Sequence, residues 1–462
     1  MKSASQATAK KTASNSLAEK VVNTRYEDLP PEVIHEAKRR IADVIAIGLS
    51  GSTSEVGKRI GVFSAKKGGA GKAVIWGSNL ITSPECAALA NGTMTFHMEL
   101  DDVHRTSHTH PGVTVIPAAL ALCEEHGFSG KSLLLSTVLG YDVEIRIGLA
   151  VSPSIYVDRT YLAPGTLGVF GAAAATAKLF NFNIEKTAGA IGTASYLGPL
   201  APFESFRLGA PSKDTIMGWA NYAGIYSTAL TDVGFEGPET ALEGDFGFYH
   251  TVSDSFDNNR IYIGIEDGYE ILNTGIKPYA CCRQHHTAID AVLELREKHN
   301  LEPNNIEKIV HRTFVVGARG TEKKPTSIPA AKYSAPYTIA VALIFGRAWR
   351  NEYSMENIND PKILELASKV EVVADDELDA LYDEKWPSII EITTKDNEVY
   401  ISRCDLPKGE PEHPLSDREL KEKFISLTAD AVSDEKAEEI WDTIFQLDQL
   451  DDISEFTKLL KG

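Results

Sequence analysis

Residues 165–182 read GTLGVFGAAAATAKLFNF. Ala and Gly dominate the run, and no charge appears before Lys178. Such a stretch predicts a helix buried among other helices, because small residues let backbones approach closely. The neighbouring segment 131–151, KSLLLSTVLGYDVEIRIGLAV, is also helical in pattern. Further upstream, Pro30-Pro31 opens a helix with apolar residues at 33, 34, 37, 41, 44 and 45, which Gly48 and Gly51 are expected to stop. Ser16-Leu-Ala-Glu19 has the spacing of a capping box. From about Lys20 to Glu270 little reads as a strand.

The texture changes near residue 273. Residues 282–300, CRQHHTAIDAVLELREKHN, form an amphipathic helical pattern, and 305–316, NIEKIVHRTFVV, alternate as a β-branched strand does. Residues 330–346, AAKYSAPYTIAVALIFG, are again helical. KVEVVAD at 369–375 and SIIEITTKDNEVYISRCDLP at 388–407 read as strands, the latter a hairpin turning at Asp396-Asn397. After Pro414 the pattern returns to helix behind a capping box, Ser416-Asp-Arg-Glu419. The expected fold is mainly α: a large all-helical domain over 17–272 and a smaller α+β lid domain over 273–414. Helices 415–462 return to the first domain, and residues 1–16 are a disordered tail.

Composition narrows the function classes. The chain has 462 residues, more than one core usually supports. Its net charge of −19 speaks against non-specific nucleic-acid binding, though a pocket can still be locally cationic. Apolar runs break well short of the ~20 residues a membrane span needs. Five Cys form no disulfide framework in a chain this long, which fits a reducing, cytoplasmic setting.

Chemistry concentrates at 97–112, HMELDDVHRTSHTHPG, between the apolar stretches CAALANGTMTF and VTVIPAALALC. Four His, three acids (Glu99, Asp101, Asp102) and Arg105 in so short a span are material for proton transfer. His97, Glu99, Asp101, His104, His108 and His110 also offer metal-ligand types, but no strong zinc spacing. Residues 277–290, KPYACCRQHHTAID, place Lys277, Cys282, Arg283, His285 and His286 at a helix start, which suits carboxylate binding. Lys213 and Tyr337, by sequence alone, read as a surface lysine and a core tyrosine.

Four motifs in order carry a resemblance: NGTMTFHMELDDVHRTSHTHPG, GTLGVFGAAAATAKL, KPYACCRQHHTAIDA and AKYSAPYTIAVAL. The chain resembles the MmgE/PrpD family over nearly its full length. That resemblance implies a helical domain with a smaller lid, an active site in the cleft between them, and a homodimer. It also implies chemistry next to a carboxylate of a small di- or tricarboxylate substrate, with no metal or other cofactor. The family's site falls here on Asp101, Asp102, His110, Lys213 and Tyr337 as catalytic residues. Glu99, Arg105, Arg159, Lys277, Cys282, Arg283 and His285 become substrate-binding candidates. This sequence departs from the family in having Leu162 where members commonly carry a histidine, with Arg159 or Tyr161 as substitutes. Glu99 also stands for a more usual Asp and Val103 for a more usual Thr. The reading favoured is a lyase of the 2-methylcitrate dehydratase type. An epimerase or a cis-aconitate-type decarboxylase is the alternative, and a non-enzymatic metal-binding helical protein the outsider.

Overall fold

The computed structural model describes residues 11–462; positions 1–10 of the expected tail lie outside the described residues. Residues 13–16 are not tail but the first turn of helix Ala13–Asn23. Its cap is Thr12, whose side chain accepts from Asn15 N, rather than the Ser16 box expected.

The buried helix predicted around 165–182 is Ala163–Leu179. Every residue from Ala163 to Ala177 is buried. It packs against Pro111–His126, Gly130–Val151 and Thr215–Asp232. Helix Pro31–Ser52 runs through Gly48 and Gly51 instead of stopping there. Those glycines serve contact: a Cβ on Gly48 would meet the Trp76 ring at 2.5 Å, and one on Gly51 the Met94 carbonyl at 2.2 Å. Pro117 sits inside helix Pro111–His126 and lacks the N–H that would bond Val113 O. Asn221 Nδ2 supplies that bond from the neighbouring helix at 2.8 Å, and its Oδ1 accepts from Ala118 N at 2.9 Å.

The only larger sheet among the described residues has four strands, in the order Val370–Ala374, Ile306–Thr313, Ser388–Thr394, Val399–Cys404. The first pair is parallel, the other two antiparallel, with Ile309 opposite both Val370 and Ile392. Strand 388–394 alternates buried and half-buried positions, the period-2 signature of one covered face. Helices His286–His299 and Ala335–Phe345 pack on the sheet. Helix Asp417–Thr428, capped by its Ser416–Glu419 box, lies on helix Pro31–Ser52, where buried Lys423 pairs with Asp43 at 2.6 Å. Among the described residues no helix is long and apolar enough to cross a membrane, and all five cysteines are free. The fold is mainly α with a smaller α+β portion.

Candidate active site

The 97–112 segment connects two buried helices, Pro84–His97 and Pro111–His126. It closes on itself through His104 N, which donates to Thr109 O at 3.0 Å, and is tied to the 275 region through Val103 N, which donates to Gly275 O at 2.9 Å. Glu99 and His108 hold φ near +57° and +55°. These left-handed conformations cost a non-glycine residue about 1–2 kcal/mol each and mark positions the surroundings enforce. His110 ends the loop as the residue before the first helical Pro.

This geometry sorts the segment's acids. Asp101 is fully buried, and its Oδ2 accepts from His110 Nδ1 at 2.6 Å while Oδ1 lies 3.6 Å from Lys277 Nζ. Burial alone would raise its pKa, but Lys277 and then His110 overcome that and hold the carboxyl at about 2. An ionised carboxylate can only accept, so Nδ1 carries the proton and Nε2 is the ring nitrogen left for the cavity. Asp102 faces the other way. It accepts from Gly112 N at 2.9 Å and Tyr141 Oη at 2.8 Å, pinning the helix start, and burial pushes it up to about 6. Only glycine fits at 112, since a Cβ would come within 2.5 Å of Asp102 Oδ1.

Lys213 is buried and already matched: its Nζ donates to Glu99 Oε1 at 2.6 Å and lies 3.0 Å from Asp214 Oδ1, over the rings of Phe96 and Phe206. Burial would lower its pKa, but Glu99 and Asp214 raise it well above the usual lysine range. His97 donates to Asp214 at 2.8 Å.

A cavity opens beside these groups. Glu99, His108, His110, Lys277, Cys282, Arg283 and Gln284 are among its polar lining residues. Val103, Tyr156, Leu162, Phe203, Phe206 and Trp386 line it as well. Trp386 comes from just before the third sheet strand, so both parts of the fold contribute to the wall.

Five of the expected site residues reach the cavity itself: Glu99, His110, Lys277, Cys282 and Arg283. Asp101 touches it through His110, and Lys213 through Glu99. The rest are placed elsewhere. Arg105 binds Glu410 at 2.5 Å and Glu412 at 3.0 Å. Arg159 is half exposed and pairs with Asp254 at 2.8 Å. His285 is buried, held down to about 4 by that burial, and bonds Tyr333 O at 2.9 Å. Tyr337 is fully buried and donates to Glu352 O at 3.3 Å, away from the cavity. Burial raises the Cys282 thiol to about 12, so it is no thiolate nucleophile. The six metal-ligand candidates are dispersed: His97 goes to Asp214, His104 to Ser107, His108 to Tyr382 and His110 to Asp101.

Several site groups escaped sequence reasoning. Tyr333, four residues before Tyr337, packs on Phe203, Phe206 and His285 and belongs to one apolar cluster with Leu162. Its Oη is buried with no protein partner. Lys332 donates to Met98 O at 2.8 Å, capping the helix that leads to Glu99, and burial lowers it to about 8. Glu410 accepts from Arg283 Nε at 2.9 Å and Nη2 at 2.5 Å as well as from Arg105, tying helix start to loop. Trp386 comes from a stretch with no motif, whereas Gln284 lies within the 277–290 motif between the residues singled out there. For Tyr333 the available signal was the KYS triplet inside AKYSAPY, which holds two tyrosines of equal plausibility.

Comparison with known proteins agrees with the layout. The sequence model of the MmgE/PrpD N-terminal domain matches residues 15–261, and that of the C-terminal domain residues 279–449. A cis-aconitate decarboxylase of Mus musculus is 27% identical, covering 98% of this chain and 94% of its own length. Those of Homo sapiens (28%; 98% and 95%) and Aspergillus terreus (24%; 99% and 98%) are similar over the same extent. With both of its domains matched in order across the same helices, strands and cavity, the chain belongs to the MmgE/PrpD family.

Proposed function

We propose that this protein is a carboxy-lyase that removes CO₂ from a small unsaturated polycarboxylate. The sequence favoured a dehydratase of the 2-methylcitrate type. The relatives are named cis-aconitate decarboxylases, so the decarboxylase alternative is taken in its place. The carrying observation is the buried Lys277–Asp101–His110 chain ending at the cavity. A β,γ-unsaturated carboxylate loses CO₂ when its C–C bond breaks and the electron pair moves into the adjacent double bond. A proton is then needed at the far carbon, α to the remaining carboxylate.

His110 suits that delivery, since Asp101 orients the ring and leaves Nε2 for the cavity. Lys277 and Arg283 provide positive charge for carboxylates, and the N-terminus of helix Pro111–His126 adds its dipole. One positioned acid contributes about 10²–10⁴ in rate, or ~3–5 kcal/mol.

The test is NMR of purified protein with cis-aconitate in deuterated water. Loss of CO₂ with deuterium appearing α to a carboxylate supports the reading. Hydration or dehydration products without CO₂ would return the dehydratase, and no change with any unsaturated acid removes the reading. We also propose a homodimer. The stacked rings of exposed Trp219, half-buried Tyr222 and exposed Tyr226 on helix Thr215–Asp232 support it, and sedimentation tests it.

A further inference from the structure

The lining of the cavity bears on the substrate. Lys277 and Arg283 share it with Tyr156, Leu162, Phe203, Phe206 and Trp386, and Phe203 packs on both Tyr156 and Phe206. Leu162 belongs to a satellite cluster with Phe96, Val113, Phe206, Met217 and Tyr333. The cation against this cluster is Lys213, over Phe96 and Phe206, and Glu99 and Asp214 already hold it, so it is not free for a third carboxylate.

The polar lining has little charge to spare. Lys213 is taken by Glu99 and Asp214, Lys277 by Asp101, and Arg283 by both hydrogen bonds to Glu410. Arg105 shares Glu410 with Arg283, and Lys332 donates to Met98 O. An entering anion must be matched by local rearrangement of these pairs or by His110. Each further carboxylate without a partner costs its desolvation. Three cavity-lining groups are buried without a protein partner, and all are neutral: Gln284 Oε1, Trp386 Nε1 and His108 Nδ1, whose ring burial keeps uncharged. They fit neutral polar atoms or the edge of a lightly charged acid.

We infer that the substrate is a dicarboxylate with a hydrocarbon arm, a pent-2-enedioate whose 3-position carries alkyl or aryl where cis-aconitate carries its third carboxylate. This rests on the decarboxylase reading for the reaction but not for binding. The chemistry balances as before. The C–CO₂ bond next to C3 breaks, its electron pair forms a terminal methylene at C3, the former double bond's pair takes a proton α to the remaining carboxylate, and CO₂ leaves. No oxidant or second substrate enters. The two carboxylates lie toward Lys277 and Arg283, and the arm against Phe203, Phe206 and Trp386.

The test is calorimetric titration of the purified protein with cis-aconitate and with 3-methyl-, 3-butyl- and 3-benzylpent-2-enedioate of the same double-bond geometry. Affinity is expected to rise along the armed series. The benzyl acid should bind roughly tenfold or more tighter than cis-aconitate, the factor that burying a few methylenes' worth of area gives. Phe203→Ala is expected to weaken the benzyl acid several-fold and the methyl acid little; Phe203→Leu serves if the alanine variant is unstable. Cis-aconitate binding as tightly as the armed acids overturns the inference, and so does failure of every armed acid to bind. NMR of the same mixtures reads the reaction separately. Armed acids that bind tightly without losing CO₂ uphold the substrate class and overturn the decarboxylase reading instead.

Discussion

Replacing Asp101 by Asn probes the centre of the site. The carboxylate is fully buried and lies between His110 Nδ1 at 2.6 Å and Lys277 Nζ at 3.6 Å. Its pKa drops from 3.8 to about 2, against a burial effect of opposite sign. Nearly two units at 1.36 kcal/mol each amount to about 2.5 kcal/mol of stability. Because the folded-state value is depressed, this stability is fully present above the unfolded value near 4. It is lost as pH falls through about 2. The Asn variant loses that much at neutral pH and also leaves Lys277 buried without its partner. The total loss is about 3–5 kcal/mol, the usual result of breaking one side of a buried pair. Urea unfolding of both proteins at pH 7 and at pH 3 measures it. The gap is expected to be large at pH 7 and to narrow at pH 3, where the wild-type carboxylate is losing its advantage over the unfolded chain. The variant's kcat on a turned-over acid is expected to fall by about 10²–10⁴, as His110 loses its orientation. A stability gap that stays constant with pH would refute the electrostatic account. Full kcat in a stable variant would take Asp101 out of the positioning of His110.

Substitutions at four further positions separate roles that the sequence left merged. Lys213→Met is expected to lower stability by about 3–5 kcal/mol in thermal unfolding, because Glu99 and Asp214 lose their shared cation; Lys213→Arg should restore it only in part, as the planar head does not fit the slot between Phe96 and Phe206. Tyr337→Phe removes one bond to Glu352 O and is expected to cost about 1 kcal/mol with kcat/KM unchanged. Tyr333→Phe removes a hydroxyl that has no protein partner, so melting should hold while kcat/KM falls at least about tenfold; equal activity in both Phe variants would exclude Tyr333 from the site. Leu162→His is expected to cost about 1–3 kcal/mol by calorimetry, since the imidazole would enter an apolar cluster; a variant as stable as the parent would show an unrecognised polar neighbour there.

Local sequence was informative wherever a pattern repeats along one element. The Ala/Gly run at 165–182, the alternating strand 388–394 and the Ser416 box act over a few residues, and each forms where its pattern places it. The density of acids and imidazoles at 97–112 likewise marks a site, because so many titratable groups are stable between buried helices only as a mutually bonded network. Sequence could not decide which member faces the cavity. Asp101 and Asp102 are adjacent, yet one orients His110 and the other pins Gly112. Tyr333 and Tyr337 are one helical turn apart, but a helix break at Ser334 sends the first toward Phe206 and the second toward Glu352. Gly48 and Gly51 read as stops, and only the approach of Trp76 and Met94 reveals them as contact points. Periodicity, capping and composition thus determined the elements and the address of the chemistry. The partners of each charge and the apolar cluster around Leu162 were decided by packing that brings together residues from one to more than two hundred positions apart. A buried group's charge and role depend on what lies within about 4 Å of it, and that distance is set by tertiary packing.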